Sequence, residues 1–459
     1  MTEDVPILQE ELVSVIRDLR QPAGDDPHFS SLESITVNQT AFLSRVHDTW
    51  KRLHNHSLQE ILKIESFARA PDAKRYPKEF SKFLRYVELI WRRTNDAIVW
   101  SLFNMEGHYI RRMCLRKPRP VLSESNHKAL IPLIEQLNSD PLTFALWSDA
   151  TCCVDIGDVI SRSFSGKPSG LLEVKSGAVN KAILDLIHSK DESAISLKSL
   201  EALAFAHGDD AIKQMGRILR QMQTNSQVSE VLMTDKGFDP LHKLPIEIKE
   251  AKTKDHSYDK MLASYFEISD KMPVLECIEG CLWVYIDQDP NKTYEDRIKS
   301  FTKSLYERDS RLREWNKDRY GLDHLREVVP LNANLMEPFA IPIFYRPFEP
   351  ERIEQVVLGK LYNRVLLYFD WQNYERIFED LGAHLTWSTT KRARAESSVP
   401  HEKRTVVIGN RIPVVSLSTG EKLEGYSKIY RVFFEGILPS VIAAQYVEML
   451  KMQSKTKEE

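Results

Sequence analysis

A mixed α/β (α+β) architecture is what this sequence predicts. Residues 1 to about 140 repeat apolar side chains at three- and four-residue spacing, the period of amphipathic helices. From about 140 to 290, short apolar runs bounded by polar turns alternate with helical stretches, as in a mixed sheet flanked by helices. Beyond about 330, strand and helix signals alternate again. The 459 residues suffice for two or three domains and a large core. The expected division is a helical region over 1–80, a core domain over 81–290 and a C-terminal α/β domain over 291–459.

The elements follow in order. A first helix is predicted over 5–19, with Leu8, Leu12, Val15, Ile16 and Leu19 on one stripe, followed by a Pro, Gly and Asp-rich linker to residue 30. Two helices are expected over 38–53 and 56–68. A long one over 80–115 carries Phe83, Val87, Ile90, Trp91, Ile98, Trp100 and Leu102, with a break expected near Asn95 or Gly107 and an end at Pro118 and Pro120. Residues 123–137 form another helix with a Ser or Asn cap. Strands are expected over 143–147, 152–163 and 171–176, helices over 178–189, 196–206 and 209–222, and strands over 228–233 and 244–248. Residues 258–270 read as a helix and 274–286 as a hairpin centred on Gly280. Charged helices fill 290–330. The last segment combines strands over 340–345, 365–369 and 404–415 with helices over 352–360, 373–381 and 437–452, and a frayed tail.

Composition excludes several classes. Sixty-three Lys and Arg against 66 Asp and Glu give a formal charge of −3, so contact with a polyanion must be local or shared across subunits, an arrangement that suits a homo-oligomer. The five cysteines, Cys114, Cys152, Cys153, Cys277 and Cys281, form no CxxC pair, as expected of reduced, buried thiols in a cytoplasmic protein. The start, MTEDVPILQEE, lacks the basic and apolar regions of a signal peptide, and no apolar run approaches the ~20 residues of a membrane span.

Chemistry concentrates between residues 154 and 177. Two apolar runs there carry charges that need partners if they lie in buried strands. In a strand over 171–175, Glu173 and Lys175 share one face, roughly 6–7 Å apart. A carboxylate on the preceding strand, Asp158 or Asp155, completes an oxygen-rich set suited to Mg²⁺ or Mn²⁺. The two aspartates lie three apart, so a regular strand sends them to opposite faces; Gly157, which lets the backbone approach an ion closely, favours Asp158. Such a set, with Lys175 orienting water or countering charge on a phosphate, fits metal-assisted phosphodiester hydrolysis.

Gly157-Asp158 followed by Glu173-Val174-Lys175 resembles the PD-(D/E)xK nuclease superfamily, whose fold is restriction-endonuclease-like. The resemblance covers residues 90–290 at most, and Gly157 stands where the family has Pro. It implies that Asp158 and Glu173 hold the metal, that Lys175 activates water, and that Gln214, on a helix with Lys213, Arg217 and Gln221, positions the reacting groups. A further acidic residue on a preceding helix is matched by Glu88 or Glu106, and the motif does not choose between them. It further implies a nucleic-acid partner, with DNA favoured. Relatives lacking a methylase or helicase on the same chain commonly serve in defence against phage, or in repair. A chain keeping the fold as a catalytically silent binding or regulatory protein is the other expectation.

Other candidates are weaker. Glu247 and Lys249 repeat Glu-x-Lys in what reads as an ordinary strand of the same sheet. His54-Asn55-His56 reads as a solvated helix junction, and Arg319 with His324 as a charged helix end. Lys391, Arg392, Arg394, Lys403 and Arg404 form a basic loop, while Trp371, Tyr374 and Trp387 read as core.

Overall fold

The computed structural model describes residues 4–25, 32–114, 121–164, 170–174, 178–188, 197–208, 210–240, 244–248, 257–320, 325, 327–358, 364–392, 411–424 and 429–458. The chain is a mixed α/β protein whose described strands pair antiparallel in small sheets. It divides into two compact units, Arg17–Glu250 and the joined segments Met1–Ile16 and Ala251–Glu459.

The first unit begins within helix α1 (Asp4–Arg20) and continues through α2 (Leu32–Val37) and α3 (Gln39–Arg69). Two helices were expected where α3 runs unbroken for 31 residues. No Pro or Gly interrupts it, and His54 and Ser57 sit buried against the next helix instead of marking a solvated junction. That helix, α4 (Lys78–Leu102), is buried along its whole second half, every residue from 87 to 100. It ends where Asn104 and Met105 both take positive φ, before the short α5 (Gly107–Met113). The break therefore falls beside Gly107, while Asn95 stays inside the helix. Helix α6 (Glu124–Leu137) starts at Ser123, whose hydroxyl accepts the Asn126 N–H.

Strands β1 (Thr143–Trp147), β2 (Val159–Ser163) and β3 (Gly170–Leu172) form one antiparallel sheet in that order. The strand expected over 152–163 is only its second half. Residues 152–158 are irregular, because side chains of α4 take the amides of Cys152 and Cys153 and because Gly157 has φ +71°. Helices α7 (Ala178–His188), α8 (Leu197–His207) and α9 (Asp210–Thr234) then pack together through Ile183, Ile187, Leu203, Met215 and Ile218. The strand expected over 228–233 is absent: α9 continues through it, with Val228 and Val231 extending the buried spacing set by Met215 and Ile218. Helical context overrode β-branched propensity. Strand β4 (Lys236–Asp239) pairs with β5 (Leu244–Glu247) as a separate two-stranded sheet, so Glu247 is not in the sheet of Glu173. Where a single mixed sheet was expected across 140–290, the described strands fall into three separate sheets.

The second unit is built on the sheet order β6 (Val274–Ile278), β7 (Leu282–Ile286), β9 (Val365–Phe369), β8 (Val329–Pro330). The β6–β7 hairpin turns through Glu279, Gly280 and Cys281 between the paired Ile278 and Leu282, with Glu279 and Gly280 both at positive φ. Helix α10 (Asp259–Ser269) precedes it, and α11 (Tyr294–Arg308) and α12 (Arg311–Tyr320) follow. Phe301, Leu305 and Leu312 from these helices pack on Trp283, Tyr285, Leu366 and Tyr368 of the sheet. Where a strand was expected over 340–345, Ile343–Tyr345 is a 3₁₀ turn, entered after Pro342, which has no N–H to give a ladder. Helices α13 (Pro350–Leu358) and α14 (Trp371–Asp380) lead to a three-stranded sheet, β10 (Ala383–Trp387), β11 (Pro413–Leu417) and β12 (Lys422–Glu424). Helices α15 (Tyr430–Glu435) and α16 (Pro439–Glu458) close the chain, and α16 runs on as helix through the tail expected to fray. Trp371 and Tyr374 are core, as expected. Cys281 is buried, and burial pushes the Cys277 thiol up to about 12, so both are packing residues.

Candidate active site

Asp158 and Glu173 stand at the same end of neighbouring strands. Val159 of β2 pairs with Leu172 of β3, and the two acidic residues are the next positions outward. The Asp158 N–H donates to the Leu172 carbonyl at 2.7 Å, and the Val174 N–H donates to the Asp158 carboxylate at 2.6 Å. Asp158 is thereby tied to the strand end that carries Glu173. Gly157 makes this junction possible: a Cβ there would meet the Leu172 carbonyl at 3.2 Å and Leu171 Cβ at 3.3 Å. The close approach expected of Gly157 toward an ion is an approach to β3.

Asp155 is placed differently. It lies in the irregular segment, not in a strand, and its N–H donates to Met113. The alternating-face argument therefore does not apply to it, and the strand junction belongs to Asp158. Lys175 lies outside the described residues, as do Arg394, Lys403, Arg404 and His324. Gln214 is half-buried on α9, and its Nε2 donates to Asn180 Oδ1 of α7 at 3.2 Å. Helix α9 also packs on β3. The two helical acids each have charged partners. Glu88 binds Arg85 at 2.6 Å and Arg92 at 2.8 Å; burial works against its charge, but the two guanidiniums win and hold it below the usual carboxylate range. Glu106 precedes α5 and meets His108 at 3.0 Å.

The sequence reading missed a buried polar network. Arg92, Arg93, Asn95 and Asp96 are all fully excluded from solvent on α4. Arg92 donates to the Asp149 carbonyl, and Asn95 Nδ2 to the Ala150 carbonyl at 3.1 Å. Asp96 Oδ1 accepts from Cys152 N at 2.7 Å and Cys153 N at 3.0 Å, while its Oδ2 accepts from Arg93 at 2.7 Å. The signal was present: residues 92–96 are all polar, and five consecutive residues at 100° each surround a helix, so no single solvated face can hold them. Flanked by the apolar runs Leu89–Trp91 and Ala97–Trp100, that stretch demands buried partners.

His54 belongs to the same network. Asn95 Oδ1 accepts from Ser57 Oγ at 3.0 Å and lies 2.8 Å from His54 Nδ1. His54 Nε2 takes the Trp147 N–H at 3.3 Å, so Nε2 is an acceptor and Nδ1 carries the proton. Burial pushes His54 down to about 4, outweighing the raising effect of the Asn95 bond. The unfolded chain takes up this proton near pH 6.5 and the folded chain refuses it until about 4, so the stability contribution is complete above pH 6.5 and lost as pH falls toward 4. Between pH 7.5 and 5 the loss should be about 2 kcal/mol, read as the difference in urea-unfolding free energy between the native chain and His54→Gln. Parallel pH dependences for the two proteins would refute it.

The donor set can be weighed for a metal. Among the described residues, no three His, Cys, Asp or Glu side chains gather as a ligand cluster. Two hard carboxylates at one strand junction fit Mg²⁺ or Mn²⁺, which keep several waters and take further oxygens from backbone and phosphate. Ser148 stands across from Asp158, donating its N–H to the Asp158 carbonyl at 2.9 Å. Its buried hydroxyl has no hydrogen-bond partner among the described residues, and such an orphan suits a bound water. No known family model, curated protein or solved structure matches the chain. No described helix is long and apolar enough to cross a membrane.

Proposed function

We propose that the chain is a metal-dependent nuclease, hydrolysing phosphodiester bonds of nucleic acid, DNA in preference. The observation that carries the reading is the junction of Asp158 and Glu173 at one end of the β2–β3 pair. Asp158 and Glu173 would hold Mg²⁺ or Mn²⁺, which supplies Lewis acidity at a phosphoryl oxygen and acidifies water. Lys175, two residues beyond Glu173, would orient the attacking water or counter charge on the phosphate. Gln214, on the helix against β3, would position that group or the phosphate. A cytoplasmic role in defence against phage, with a homo-oligomer sharing the nucleic-acid contact, belongs to the same proposal and rests on family analogy.

The test is incubation of pure protein with plasmid, linear DNA and RNA, with Mg²⁺ or with EDTA. Cleavage that EDTA stops is the expected result. Binding of nucleic acid with no cleavage under any divalent ion would instead identify a silent binding protein on this framework.

A further inference from the structure

We infer that Asp96 of α4, with Asn95 and Arg92 beside it, is a positioning residue for Asp158, acting through the main chain of residues 148–158; its bearing on catalysis rests on the nuclease reading above, its bearing on geometry does not. The segment leaves the sheet at Ser148 and returns at Asp158, and the bond from Ser148 N to the Asp158 carbonyl closes its neck at 2.9 Å. Asp158 is therefore the foot of a closed loop, and whatever fixes the loop fixes that foot.

The loop is held from one side by α4. Arg92 takes the carbonyl of Asp149, Asn95 that of Ala150, and Asp96 the amides of Cys152 and Cys153. Within the loop, Thr151 Oγ1 donates to the Ser148 carbonyl at 2.7 Å and accepts the Val154 N–H at 3.0 Å. Asp155 N–H then donates to Met113 at 3.0 Å. Residues 149–154 are thus pinned by bonds to buried side chains, and Asp155 by the Met113 carbonyl. A fully buried carboxylate costs several kcal/mol of desolvation and repays it only through well-placed partners. Asp96 spends its oxygens on Arg93 and on two loop amides. Apolar contacts between helix and loop would exclude water equally well but would not fix a main-chain path.

The bond from Val174 N–H to the Asp158 carboxylate reports directly on where Asp158 stands, with no metal or substrate needed. The experiment is amide hydrogen exchange, resolved to single residues, on Asp96→Ala and Thr151→Val in the full chain. Thr151→Val keeps the side-chain shape and removes only the hydroxyl bonds, so it serves if Asp96→Ala fails to fold. Exchange at Val174 should accelerate about tenfold or more, while the Phe144 and Leu146 amides within β1 keep their protection. The Mg²⁺ concentration for half-maximal cleavage should rise together with it. Unchanged Val174 protection in a folded Thr151→Val protein overturns the inference, and equal acceleration throughout β1 overturns it too, showing a merely structural contact. If Val174 exchange accelerates but the native chain cleaves nothing, the positioning stands and the nuclease reading fails.

Discussion

Replacing Asp96 with Ala should lower the unfolding free energy of the Arg17–Glu250 unit by about 3–5 kcal/mol, among the largest losses for any single side chain in it. The substitution leaves Arg93 as a fully buried guanidinium without its 2.7 Å carboxylate, and strips the acceptor from the amides of Cys152 and Cys153. Each effect alone falls in the range of a buried polar group losing its partner. Asp96→Asn retains an oxygen for the amides but not the charge opposite Arg93, so its loss should be smaller than that of Ala. Urea unfolding at pH 7 measures both. A change under about 1 kcal/mol for Asp96→Ala would show that the network is not the anchor its geometry indicates.

Asp158→Asn and Glu173→Gln should each reduce Mg²⁺-dependent cleavage at least about a hundredfold while leaving the chain folded. The Asp158 carboxylate accepts the Val174 N–H, a bond that an Asn oxygen also makes. A loss of about 1 kcal/mol is expected for that exchange of a charged acceptor for a neutral one. Glu173 stands just beyond the last paired residue of β3. Lys175→Ala should abolish cleavage as well. Cleavage rates are compared at saturating and limiting Mg²⁺; a variant that regains full activity at high Mg²⁺ has lost affinity only. Full activity in either carboxylate variant at limiting Mg²⁺ would remove that residue from the site.

The helices were legible where their period was clean. The stripe of Leu12, Val15, Ile16 and Leu19 and the spacing of Met215 and Ile218 each lie on a described helix. Two kinds of information were hidden. Val228 and Val231 have the side chains of strand residues, and only continued burial on the same face keeps that segment helical. The run 152–158 has the apolar content of a strand, but Asp96, more than fifty positions earlier, takes its amides and bends it away from the sheet. Such long-range side-chain-to-backbone bonds leave no local pattern. Conversely, the acidic pair was legible because it rests on a local device: Gly157, a positive-φ turn, and the short return of β3 bring Asp158 and Glu173 to one strand end. Asp155, three residues earlier, could be separated from Asp158 only once the loop path was known.

The most direct test of the central assignment is titration of the pure, nucleic-acid-free chain with Mn²⁺, followed by electron paramagnetic resonance. One bound ion per chain is expected for the native protein, displaced by Mg²⁺ and lost in both Asp158→Asn and Glu173→Gln. Retention of that ion with unchanged affinity in folded Asp158→Asn and Glu173→Gln would contradict the shared carboxylate site.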